Sequence, residues 1–107
     1  MRIEEYTRQL CRESGPSGYE SAVSDRAEEL MRPLVDEVYR DVMGNLFGIR
    51  RSGKSGAKHL LLDAHLDEVG FVVTEITDGF LRFSAIGGVD SRMLPGREGT
   101  AMGEERG

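Results

Sequence analysis

Along residues 2–13 the apolar side chains Ile3, Tyr6 and Leu10, with Cys11 beside them, recur at helical spacing, while Glu4, Glu5, Arg8 and Arg12 fall elsewhere. That pattern predicts a short amphipathic helix carrying a buried or half-buried thiol. Ser14-Gly15-Pro16-Ser17-Gly18 interrupts it, because glycine and proline do not extend a helical ladder. Ser17 followed by Glu20 has the spacing of a capping box, so a second helix is expected to begin there. Its apolar stripe would be Ala22, Val23, Ala27, Leu30 and Met31, with Pro33 at or near its end.

From Val35 the period changes. Residues 35–41 alternate and predict a strand, Met43-Gly44-Asn45 a turn, and residues 46–51 the returning strand of a hairpin. Beyond the loop Ser52-Gly53-Lys54-Ser55-Gly56, the unbroken run Leu60-Leu61-Leu62 predicts a strand buried on both faces, the kind found in parallel sheets covered by helices. Residues 69–76, the turn Thr77-Asp78-Gly79 and residues 80–86 predict a second hairpin, with Gly87-Gly88 allowing a bulge or bend at its end. After Leu94 no apolar period remains. The element order indicates a mixed α/β chain that turns to β near residue 74.

Composition narrows the function. At 107 residues there is length for one ordinary domain. The net charge is -5, and Arg50, Arg51 and Lys54 are the main basic cluster, which argues against a nucleic-acid partner. No run approaches the ~18 apolar residues of a membrane span, and no apolar secretory segment opens the chain. A single cysteine excludes an internal disulfide framework. The expected setting is therefore the cytoplasm.

The candidate chemistry follows the apolar run, where Asp63-Ala64-His65-Leu66-Asp67-Glu68 begins abruptly. Ligands in open α/β sheets gather beyond the carboxyl ends of such strands. In a strand, residues i and i+2 share a face about 6.5–7 Å apart. His65 could thus offer one ring nitrogen to a metal while Asp67 accepts the proton of the other, and nitrogen and oxygen donors suit zinc or cobalt. Alternatively, His65 caps a strand and Asp67 starts a turn; the spacing leaves both readings open. His59, at the opposite end of the run, reads as a surface histidine. Gly48 with Gly53-Lys54-Ser55 meets the bare spacing of a phosphate loop, but the first glycine lies in a predicted strand and no helix follows. Carbohydrate hydrolysis needs two carboxylates flanking the bond, and the adjacent Asp67 and Glu68 would point to opposite faces.

Four motifs occur in a specific order: Ser17-Gly18-Tyr19-Glu20, Asp41 with Gly44-Asn45, Ala64-His65-Leu66-Asp67-Glu68-Val69-Gly70-Phe71, and Ile86-Gly87-Gly88-Val89-Asp90. Together they resemble the start of metallopeptidase family 42, the glutamyl and deblocking aminopeptidases, some of which carry an older endoglucanase label. The resemblance runs over residues 3–97. It implies that residues 1–74 are the N-terminal part of a zinc-peptidase-like helix–sheet–helix catalytic domain, and residues 75–107 the start of an inserted β domain. It implies two divalent metal ions, zinc or cobalt, with His65 as a ligand of one and Asp67 as the carboxylate orienting that histidine. The family's reaction removes N-terminal residues from peptides with water activated by the metals and a glutamate base. Peptide substrates are the implied partners, together with further copies of the full-length protein.

In the family the other metal ligands and the general-base glutamate lie beyond the inserted domain. A catalytic zinc needs three protein ligands, so the expectation is a fragment without activity of its own. Residues 98–107 depart from the family pattern and are expected to be a frame-shifted or disordered end of a truncated reading. The alternative is a non-catalytic binding or assembly module derived from the same fold, using the hairpin at residues 69–86 as its contact surface.

Overall fold

The first two elements are helices, α1 at Ile3–Leu10 and α2 at Ser21–Met31, in a computed structural model that describes residues 2–103. In α1, Tyr6 and Leu10 are half-buried and Ile3 is exposed. Cys11, expected to be at least half-buried, is exposed instead. It stands at the C-cap, one residue past a helix that itself buries no residue fully, so nothing covers the thiol.

Helix α2 turns its Val23, Ser24 and Ala27 side inward. Ala22 was expected in this stripe but is exposed, because the buried face is rotated toward Ser24. The capping box does not form. The N-cap of α2 is Glu20, without a side-chain cap bond, and Glu20 Oε1 accepts the Gly18 N–H at 2.6 Å. At its far end α2 tightens into the 3-10 turn Arg32–Leu34, which contains Pro33.

The first hairpin pairs β1, Glu37–Arg40, with β2, Leu46–Ile49, in antiparallel register from Glu37 opposite Ile49 to Arg40 opposite Leu46. Tyr39 stacks on Phe47 across it, with ring centroids 4.8 Å apart. Asp41 builds the turn: Oδ1 accepts the N–H groups of Met43 and Asn45, both at 2.9 Å, and Oδ2 accepts Asn45 Nδ2 at 2.8 Å.

The second hairpin pairs β3, Gly70–Thr77, with β4, Phe80–Ile86, and carries an irregularity between Val73 and Glu75. Its turn residues Asp78 and Gly79 both have positive φ, 51° and 81°, as a tight two-residue turn between right-twisted strands requires. Phe71 and Phe83 meet edge to face at 5.0 Å.

The strand expected at Leu60-Leu61-Leu62 is not formed. These leucines are 84%, 81% and 85% exposed, and residues 57–67 carry no strand. A strand buried on both faces needs neighbours on its edges and covering layers. The sheets among the described residues are two separate two-stranded hairpins, and neither pairs with this segment. Among the described residues the buried apolar ones are Val23 and Ala27, so the core is small and sits on α2. Of the expected tail at residues 98–107, residues 104–107 lie outside the described residues.

Candidate metal centre

The segment bearing His65 is held by the loop between α1 and α2, some fifty residues earlier in the chain. The Glu68 N–H donates to the Gly15 carbonyl at 2.9 Å, and the Gly15 N–H donates to Glu68 Oε1 at 3.1 Å. Pro16 and Glu68 form an isolated parallel bridge at the same place. Two close approaches lock this junction. A Cβ on Gly15 would fall 2.6 Å from Val23 Cγ1, and one on Gly70 would fall 2.9 Å from Pro16 Cβ. The loop is thereby seated on the buried face of α2 and across the start of β3.

One residue further on, the Ser17 hydroxyl donates to Asp67 Oδ2. On the other side of the same carboxylate, His65 Nδ1 lies 3.0 Å from Asp67 Oδ1 and 2.9 Å from the Asp67 carbonyl oxygen. A carbonyl and a carboxylate both accept, so the proton of the neutral ring belongs on Nδ1. Nε2 then carries the lone pair that a metal would take. The His65 side chain is 84% exposed and that of Asp67 is 41% exposed. The Ser17 hydroxyl holds the Asp67 carboxyl below the usual aspartate range; partial desolvation opposes this, and the contact with His65 adds to it.

His65 and Asp67 are therefore brought together as the sequence suggested, although on an irregular segment rather than a strand. Ser17 was missed. The capping-box spacing assigned it to a helix that begins four residues later, and its membership of the same motif set as Asp67 was the available signal. Glu68 serves the junction, accepting from Gly15. His59 is exposed and enters none of these contacts. Gly48 lies in β2, and Lys54 sits in a loop with no helix after it, so the phosphate-loop spacing is coincidental. Asp90 caps the 3-10 turn Ser91–Met93 and pairs with Arg92 at 2.8 Å.

A metal fits one position here and no more. His65 offers a nitrogen with its tautomer already fixed, as a metal-binding histidine usually does. Among the described residues, no three His, Cys, Asp or Glu side chains are grouped to hold an ion.

A hydrogen bond from a histidine ring nitrogen to a carboxylate is one that metal-binding histidines commonly make. The chain belongs to the M42 glutamyl aminopeptidase family, whose sequence model matches residues 44–106. Among solved structures it is similar to an endoglucanase of Thermotoga maritima, with 44% identity and a TM-score of 0.75 over 90% of this chain and 30% of that one. It is also similar to aminopeptidase APDkam598 of Desulfurococcus kamchatkensis, with 42% identity and a TM-score of 0.76 over 84% of this chain and 25% of that one. A curated relative, the lysyl aminopeptidase of Pyrococcus furiosus, is 33% identical over 87 residues, 79% of this chain and 24% of the relative. The chain spans 22%, 28% and 24% of the length of three further curated relatives, so it corresponds to about a quarter of such a protein.

Proposed function

We propose that this chain is the N-terminal part of a dinuclear metal-dependent aminopeptidase that removes N-terminal residues from peptides, and that His65 is a ligand of one of its metals. Residues 1–74 would belong to the catalytic domain and residues 75–107 would open the inserted β domain. The observation that carries this reading is the double contact of His65 Nδ1 with Asp67, which leaves Nε2 as the donor. Membership of the family and the aminopeptidase names of its relatives support the reaction class.

When bound, two divalent ions, zinc or cobalt, supply the acidity that polarises a peptide carbonyl and activates water. The part of this chain is to have Asp67 accept the hydrogen bond of the His65 Nδ1–H and so keep Nε2 free and aimed. One histidine does not make a catalytic zinc site, which takes three protein ligands. The 107-residue chain therefore binds zinc or cobalt weakly and hydrolyses no peptide by itself. The proposed setting is the cytoplasm, with the family-length protein assembling with copies of itself. Among the described residues, no helix is long and apolar enough to cross a membrane.

The test is a zinc and cobalt titration of the chain beside His65→Ala, with an amino-acyl anilide assay on both. Weak binding that His65→Ala removes, without turnover in either, is expected. Equal binding by the two would overturn the ligand role. Turnover by the purified chain, abolished by His65→Ala, would overturn the proposed dependence on residues outside it.

A further inference from the structure

We propose that Ser17 is a positioning residue for His65 and acts through Asp67, occupying one carboxylate oxygen so that the other is aimed at the Nδ1 proton. This rests on the reading of His65 as a metal ligand.

The argument starts from the aspartate side chain. Its terminal torsion is broad, so a single contact from His65 to Oδ1 does not fix the plane of the carboxylate. A second donor on Oδ2 does. With both oxygens engaged, rotation of the group breaks one bond or the other, and the ring of His65 inherits the orientation. Ser17 is suited to this because its own place is fixed. Gly15 is tied to Glu68 through both of its backbone groups, and the Pro16 ring lies against Gly70. The Tyr19 N–H donates to the Pro16 carbonyl at 2.8 Å, closing a turn in which Gly18 has φ +88°. The hydroxyl is not spent on α2, whose N-cap is Glu20.

The bland role for Ser17 is to stabilise the loop, and a histidine tautomer separates the two. The chain has two histidines, and His59 provides an internal reference with an exposed ring. Nitrogen-15 NMR of the imidazoles, in metal-free chain at a pH where both rings are neutral, reads the tautomer directly. His65 is expected to be mainly the Nδ1–H form and His59 the ordinary mixture of a free ring. Ser17→Ala should weaken the Nδ1–H preference at His65, the Asp67 backbone carbonyl remaining as an acceptor, and Ser17→Thr, which keeps the hydroxyl, should restore it. The amide signals of Val23 and Ala27 report whether α2 is intact in each variant.

A His65 ring that matches His59 in the unmodified chain would overturn the proposal, as would an Nδ1–H preference undiminished in Ser17→Ala. Should Ser17→Ala lose α2, the Ser17→Thr variant decides: a lost preference there, with α2 intact, also overturns it. The tautomer experiment involves no metal. If Ser17→Ala leaves the tautomer unchanged while His65→Ala still abolishes zinc binding, the Ser17 role alone fails. Unchanged zinc binding in His65→Ala fails the ligand reading and leaves the tautomer result standing.

Discussion

The ring of His65 meets Asp67 twice, with Nδ1 at 2.9 Å from the backbone carbonyl oxygen and 3.0 Å from Oδ1. Removing the carboxylate therefore leaves one acceptor behind. In the family-length protein, Asp67→Ala is expected to weaken zinc or cobalt binding by about 10–100-fold, the usual range for a carboxylate behind a histidine ligand. Asp67→Asn keeps an oxygen in reach without the charge and should fall between. Competition against a chromophoric chelator measures the order; three equal affinities would show that Asp67 does not orient the ligand.

The parts of this architecture legible in the sequence were the local ones. Thr77-Asp78-Gly79 marked the second hairpin because its turn demands positive φ, which few residues besides glycine, asparagine and aspartate adopt. His65 and Asp67 were legible as a pair because they lie two residues apart. The partners from fifty residues away were not. Ser17 carries a good capping signature, and only the tertiary junction of Gly15 with Glu68 diverts its hydroxyl to Asp67. The Leu60-Leu61-Leu62 run misled for the opposite reason: its composition describes a strand within a sheet, whereas the two hairpins here offer it no edge.

Gly70 is where the junction is least tolerant of change. Alanine there would put its Cβ 2.9 Å from Pro16 Cβ and 3.0 Å from Pro16 Cγ, atoms of a ring that cannot rotate away. Relief requires Pro16 to move, and Ser17 with it. Gly70→Ala is expected to cost about 1–3 kcal/mol, as overpacked sites do, and to shift the NMR signals of Ser17 and Asp67. Gly88→Ala, with nothing within 4 Å of the added atom, is the control. A denaturant midpoint for Gly70→Ala equal to that of the control would refute the close approach.

Asp41 predicts a pH dependence in the β1–β2 turn. The Asn45 side chain holds its carboxyl below the usual aspartate range, with the backbone N–H groups of Asn45, Met43 and Gly44 acting in the same direction. Because the folded value is depressed, the stabilisation is fully present above the unfolded aspartate pKa and is lost as pH falls through the lower folded one. Carbon-13 titration of the Asp41 carboxyl should give a midpoint below that of a free aspartate. Asn45→Ala should raise it part of the way back, since the Met43 donor at 2.9 Å remains. No change on Asn45→Ala would remove the side-chain amide from the explanation.

The exposed leucines bear on whether these residues stand alone. Burying a leucine side chain contributes about 1.5–3 kcal/mol, so Leu60, Leu61 and Leu62 left in water forgo roughly 5–9 kcal/mol. That is comparable with the entire stability of an ordinary domain, about 5–15 kcal/mol. Ile76 and Phe80, at 72% and 77% exposed, add to the deficit, while among the described residues Val23 and Ala27 are the buried apolar ones available to offset it. The 107-residue chain is therefore expected to bind a hydrophobic dye and to self-associate. Replacing all three leucines by serine should reduce the association and leave the β3–β4 hairpin shifts unchanged. A monomeric chain with no dye binding would favour the independent binding module over the proposed piece of a larger aminopeptidase.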